Sequence, residues 1–164
     1  MIDDAEAGVA FRHGTALDAS ELTQLARDAK AHWGYPPEWL AEWGDDLALT
    51  PDYIASHQVF VAESVDEDAV VGVCALAEHG DHWQLEHVWV APASQRRGVG
   101  RALVDQAISV ARARRPDLTI RVHADPNAVG FYERLGARRI GRIEAPMPGA
   151  PSRDLPVLEF VADR

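Results

Sequence analysis

Two rhythms of apolar residues take turns along this chain. One has a period of two and the other recurs every three or four positions, the signatures of strands and helices respectively. Val9 to Arg12 reads as a short first strand. Ser20 is placed as the N-cap of a helix whose Leu22, Leu25, Ala26, Ala29 and Trp33 share one face and which ends near Gly34. Pro36-Pro37 opens a short helix through Trp43, and Thr50-Pro51 supplies the cap and first helical residue of another. Strand-like runs follow at His57 to Ser64, Ala69 to Glu78 and His82 to Val90, parted by the Asp66-Glu67-Asp68 and Gly80-Asp81 turns. Such short connections imply antiparallel neighbours. From Gly98 to about Arg114 the pattern is helical, with Val99, Leu103, Val104, Ala107, Ile108 and Ala111 on a broad apolar face that Pro116 terminates. Leu118 to His123 is the next strand. Asp125 caps a helix with Pro126 at its first position, running to Gly136, and strands around Arg138–Ile143 and Leu155–Val161 complete the pattern. Strand, long helix and strand from 82 to 123 predict a right-handed parallel βαβ unit. The class is α/β.

Composition narrows what such a domain can be. With 164 residues, 47% hydrophobic and 26% charged, the chain matches one globular domain, 1–164, with enough apolar material for a core. No stretch approaches the roughly 20 apolar residues of a membrane span. The acidic opening Met1-Ile2-Asp3-Asp4 lacks the basic and apolar regions of a signal peptide, so a cytoplasmic location is expected. Cys74 is the only cysteine, which excludes an internal disulfide and a cysteine zinc cluster. Its neighbours Val71, Val73, Ala75 and Leu76 mark it as a buried structural thiol. The histidines form no pair at metal-ligand spacing on a recognisable helix, so no metal is expected. The net charge of −10 argues against general nucleic-acid binding, but the charge is unevenly spread. Residues 1–90 carry 18 acidic against 3 basic residues, a balance of −15, whereas residues 91–164 carry 8 against 13, a balance of +5. An anionic ligand in the second half and a cationic one in the first suit this division, as does plain solvated surface charge.

The segment with most chemistry runs Val88-Trp89-Val90-Ala91-Pro92-Ala93-Ser94-Gln95-Arg96-Arg97-Gly98-Val99-Gly100, from a strand end through a loop into a helix. Backbone N–H groups at a helix start have no intrahelical acceptor and sit at the positive end of the helix dipole, so they suit a pyrophosphate. Gly98 and Gly100 allow close approach, and Arg96, Arg97 and Arg101 add charge. A dinucleotide fingerprint needs a glycine where Leu103 stands, and a phosphate-binding Lys-Ser/Thr pair is absent. The segment resembles the signature of the GNAT superfamily, the GCN5-related N-acetyltransferases: Gln/Arg-x-x-Gly-x-Gly/Ala after a strand ending Val-x-Pro. Gln95-Arg96-Arg97-Gly98-Val99-Gly100 matches it throughout. A second block, Asn127 to Gly136 with Phe131-Tyr132 inside it, is similar to the family's Asn…Phe-Tyr-x-x-x-Gly-Phe region, with a shorter Asn-to-Phe spacing than some members and Ala137 in place of the last phenylalanine.

The resemblance implies a mixed, mostly antiparallel sheet of six or seven strands flanked by about four helices, with an acetyl-CoA-binding core at about 82–136 and a helical acceptor flap at about 20–56. It implies that the pantetheine arm pairs with the backbone of Val88, Trp89 and Val90, where a strand-end amide also polarises the thioester carbonyl. The pyrophosphate would rest on Gln95, Arg96, Arg97, Gly98, Val99, Gly100 and Arg101. Asn127 and Tyr132 would face the arm and the sulfur, with Tyr132 as acid for the departing thiolate.

Direct acetyl transfer needs an uncharged amine, and a lysine-like amine with pKa near 10.4 arrives protonated. Alternation puts Gln84, Glu86 and Val88 on one strand face and Leu85, His87 and Trp89 on the other. If the Val88 face meets the reaction cleft, Glu86 is the base, directly or through water; if the opposite face does, His87 takes the role; water alone, with neither residue as base, is the third alternative. Trp33, Tyr35, Trp39 and Trp43 cluster between two helices, where Tyr35 and Trp39 are candidates for an acceptor-pocket wall and Trp33 and Trp43 for a staple between helices. The expected activity is direct transfer of acetyl to a primary amine, with a small molecule favoured. A non-catalytic acyl-CoA-binding regulatory module and a protein lysine or N-terminal acetyltransferase are the alternatives. Monomer and homodimer both remain open, and neither nucleic acid nor membrane is expected as a partner.

Overall fold

The computed structural model describes residues 8–161, so the opening Met1–Asp4, which carried the signal-peptide expectation, lies outside it. The elements are β1 (Val9–His13), α1 (Ala19–Ala31), α2 (Pro37–Glu42), α3 (Pro51–Ser56), β2 (Gln58–Ser64), β3 (Ala69–Glu78), β4 (His82–Val90), α4 (Val99–Arg114), β5 (Thr119–His123), α5 (Val129–Arg134), β6 (Arg138–Glu144) and β7 (Asp154–Phe160). The strands form one seven-stranded sheet in the order β1-β2-β3-β4-β5-β7-β6, in which β1 with β2, β2 with β3, β5 with β7 and β7 with β6 pair antiparallel and β4 with β5 parallel. The chain divides into two compact units, residues up to Leu76 with His87–Ala107, and Ala77–Glu86 with Ile108 onward.

In the first unit α1 to α3 cover one face of β2 and β3. Leu22, Leu25 and Ala26 of α1 pack with Leu47, Leu49 and Ile54 on Val59, Val61, Val73 and Ala75. The loop before α3 is tied to α1 by the Leu49 N–H donating to Thr23 Oγ1 at 2.9 Å. Thr50 caps α3 as expected, accepting from the Tyr53 N–H, with Pro51 at the first helical position. Ser20 is not an N-cap. The helical path begins earlier, in a 3₁₀ turn at Ala16–Asp18, because Asp18 is anchored there by the Arg12 guanidinium (2.8 Å to each oxygen) and by the Thr15 N–H at 2.7 Å. On the other face of β3, Gly72 lets α4 come close: a Cβ there would stand 2.9 Å from Leu103 Cδ1 and 3.0 Å from Val99 Cγ1.

In the second unit β7 lies between β5 and β6. Composition explains this order. Val157, Leu158 and Phe160 of β7 are buried, whereas all seven residues of β6 are exposed and three are arginines, as suits an edge strand. Glu159 of β7 meets Arg121 of β5 at 3.4 Å and Arg138 of β6 at 3.9 Å. The predicted helix from Asp125 to Gly136 is a 3₁₀ turn (Pro126–Ala128) followed by α5, with Asp125 accepting from the Asn127 N–H.

Candidate active site

Along β4 the two faces have different surroundings. His87 and Trp89 face the helices of the first unit: the Tyr53 ring meets His87 edge-on at 5.4 Å, and Trp33 lies 6.3 Å from Trp89. Trp89 Nε1–H donates to His87 Nδ1 at 2.9 Å, so the neutral imidazole carries its proton on Nε2. His87 is buried.

Glu86 lies in the second unit. The parallel ladder of β4 with β5 covers only His82–Leu85, and Glu86 is the first residue beyond it. Glu86 is exposed as a residue although its side chain is only 26% exposed, so its main chain carries much of that exposure. Its Oε2 is 3.2 Å from His79 Nε2.

After β4 the chain makes a tight, hydrogen-bonded passage into α4. The Ala91 N–H donates to Val71 O at 2.8 Å, Ser94 N–H to Ala91 O at 2.8 Å, and Gln95 Nε2 to Val90 O at 3.3 Å. Arg96 then takes φ +64° and Gly98 φ +80°, two left-handed residues within three. For arginine that conformation is uncommon, and it turns the backbone so that α4 starts at Val99. Arg96, Arg97 and Arg101 are exposed here, Arg101 lying 3.9 Å from Asp105 one turn along.

Within α5 Tyr132 is buried, its ring edge-on to Phe131 at 5.0 Å. The exposed Asn127 donates its side-chain amide to Asp125 Oδ1 at 3.0 Å. In the flap Tyr35 stacks on Trp39 at 5.7 Å, and both meet Trp43 edge-on. Lys30, buried, directs Nζ at Trp33, Tyr35, Trp43 and Trp89, between 4.1 and 5.9 Å from each ring centroid. Cys74 is fully buried, and that burial pushes its thiol up to about 12, so it is neutral and shielded at ordinary pH.

Residues 20–137, which hold this strand, loop and helix start, match the model of the acetyltransferase (GNAT) family. The chain belongs to the GNAT family. It is 32% identical over 104 residues to the peptidyl-lysine N-acetyltransferase YjaB of Salmonella typhimurium, covering 63% of this chain and 66% of that one. It is 34% identical over 104 residues to the mycothiol acetyltransferase of Rhodococcus opacus, covering 60% of this chain but 33% of the relative. The chain thus spans about two thirds of the one relative and a third of the other. The PaiA N-acetyltransferase of Thermoplasma acidophilum, solved in complex with coenzyme A, shares the fold with a TM-score of 0.69 at 16% identity, over 92% of this chain and 97% of that one.

The sequence-derived site residues of this GNAT protein divide between the units. Val88, Trp89, Val90, the loop from Gln95 to Arg101, Tyr35 and Trp39 belong to the first; Glu86, Asn127 and Tyr132 belong to the second. Two features escaped sequence reasoning. His79 pairs with Glu86 seven residues away, which strand alternation alone does not indicate, and Lys30 occupies the aromatic cluster, signalled only by its place in the last turn of α1.

Proposed function

We propose that this GNAT protein transfers the acetyl group of acetyl-CoA directly to the primary amine of a small molecule. The left-handed pair Arg96 and Gly98 at the entrance of α4 carries the reading. It presents a glycine, exposed arginines and the first N–H groups of a 16-residue helix together, a fit for a pyrophosphate. On this proposal Gln95 to Arg101 hold the pyrophosphate, the backbone of Val88 to Val90 pairs with the pantetheine arm, and Asn127 and Tyr132 complete the coenzyme site.

Glu86 is the proposed base. It is accessible and stands beyond the β5 ladder, whereas His87 is buried under Tyr53 with its accepting nitrogen used by Trp89. Tyr132 is the proposed acid for the thiolate. A phenol near 10 protonating a thiolate near 8.5 is uphill by about 2 kcal/mol, so concerted transfer is expected. Cys74 takes no part in the proposed mechanism, and the acetyl group passes to the amine without an acyl-enzyme. Tyr35 and Trp39 are the proposed acceptor wall. The Lys30 ammonium faces the Tyr35 ring at 5.1 Å.

Calorimetric titration with acetyl-CoA tests this, beside the double variant Arg97→Glu with Gly98→Asp. Binding that the variant loses, followed by thiol release with an amine from a broad panel, supports an enzyme; binding with no turnover on any amine or peptide points to an acyl-CoA-binding module. The likeness to YjaB favours a second reading, a peptidyl-lysine acceptor, which faster turnover of lysine peptides than of free amines would establish.

A further inference from the structure

Glu86 lies midway along β4, and His79 is the residue between the end of β3 and the Gly80-Asp81 turn that leads into β4. The turn is fixed by the His79 N–H donating to His82 O at 2.9 Å and by Gly80 at φ +84°. The fixed turn brings His79 Nε2 to 3.2 Å from Glu86 Oε2. The His79 side chain is 45% exposed and that of Glu86 26%, so the imidazole links a more enclosed carboxylate to open water. On its other side the ring stacks on His82 at 5.3 Å, and His82 is held by Asp81 Oδ1 at 2.7 Å and Gln84 Oε1 at 3.1 Å. The other charged groups nearby are Arg121 and His123 on β5, and Glu78, which pairs with Arg115. Burial, and then the proximity of His82, His79 and Arg121, hold His123 below the usual histidine range.

We propose that His79 is the positioning residue through which Glu86 discharges its proton: the imidazole takes from the Glu86 carboxyl the proton removed from the acceptor amine and releases it to solvent. This rests on Glu86 being the base. With Nδ1 protonated, Nε2 presents its lone pair to the carboxyl. The O–H bond of Glu86 breaks as the N–H bond at Nε2 forms, giving an imidazolium beside a carboxylate, and the Nδ1 proton then leaves to water. To reset, the exposed ring swings away from the carboxylate, takes a proton from water at Nδ1 and gives the Nε2 proton to water, so that one proton in all reaches solvent per cycle. Imidazole is in general a stronger base than a carboxylate, which is the direction of transfer that the relay uses.

The experiment compares kcat/KM against pH for wild type, Glu86→Gln, His79→Ala and His79→Gln, with and without added imidazole. Glu86→Gln should abolish most turnover and imidazole should not restore it; normal turnover there would remove the base itself, whatever His79 does. His79→Ala should slow turnover about tenfold or more. Its acid limb should move to higher pH, because the variant lacks the imidazolium that, in acid, would stand beside the carboxylate and favour its charged form. Imidazole should restore most of the rate. His79→Gln keeps a donor but cannot pass a proton on, and should stay slow. An unchanged His79→Ala, a fully active His79→Gln, or a folded, acetyl-CoA-binding His79→Ala that imidazole leaves slow would each overturn the relay.

Discussion

The ammonium of Lys30 stands 4.1 Å from the ring centroid of Trp43, with three more aromatic rings within 6 Å of it. A cation enclosed by ring faces in a buried setting gains about 2 kcal/mol. The position in the last turn of α1 adds the helix dipole to the same effect. Lys30 thereby binds α1, Tyr35, Trp43 and the strand residue Trp89 into one cluster, which is a staple. Lys30→Met keeps the stem and removes the charge, and should lower unfolding stability by about 2 kcal/mol in urea titration followed by tryptophan emission. An unchanged midpoint would mean that the cluster packs as well around an apolar stem.

Gly72 governs how closely α4 lies on β3. A methyl group there meets the tip of Leu103 at 2.9 Å and Val99 at 3.0 Å, and only the leucine tip swings aside easily. Val99 opens the helix whose start is the proposed pyrophosphate seat. Gly72→Ala should therefore cost about 1–3 kcal/mol of stability as an overpacked contact and weaken acetyl-CoA binding by moving that start. Calorimetry on the folded variant separates the two effects; full affinity would mean that the strain is absorbed within the core.

Much of this arrangement was legible in the sequence because local chemistry fixed it. The Thr50-Pro51 pair sets the start of α3, the Gly80-Asp81 turn sets the bounds of β3 and β4, and both agree with the structure. Ser20 misled because a serine before an apolar run is a good cap in isolation, while the Arg12–Asp18 pair that starts the helix earlier joins residues on different elements. The placement of β7 inside β6 depends on which strand buries its side chains, a tertiary choice that the exposed arginines of β6 hinted at. The loop from Gln95 to Gly100 was readable as an anion seat. The partners of Glu86 and the occupant of the aromatic cluster were not, since each contact depends on side-chain direction at a turn or a helix end.

Tyr132 offers a clean separation of packing from chemistry. Its ring is buried against Phe131, and phenylalanine preserves that contact. Tyr132→Phe keeps the ring in the proposed coenzyme site and should change acetyl-CoA affinity far less than turnover, which should fall about 10²-fold, the scale of a lost general acid. An acceptor and acyl donor giving unchanged kcat would remove Tyr132 from the mechanism.

Asp18 should give the fold a defined acid sensitivity. Hydrogen bonds from the Arg12 guanidinium, the largest influence, hold its carboxyl below the usual aspartate range, with the Thr15 N–H adding to them and partial burial opposing. A carboxyl with a lower folded than unfolded pKa stabilises the fold fully above the unfolded value of about 3.9, and the contribution fades as the pH falls through the lower folded value. Asp18→Asn removes the charge and should cost about 2 kcal/mol at pH 7, because Arg12 loses its bidentate partner while retaining Glu63. Urea midpoints of the two proteins should converge as the pH drops from 4 towards 2, since protonation brings the wild type to the variant's state. A gap that persists at the lowest pH would assign the loss to packing at the start of α1 instead of to the ion pair.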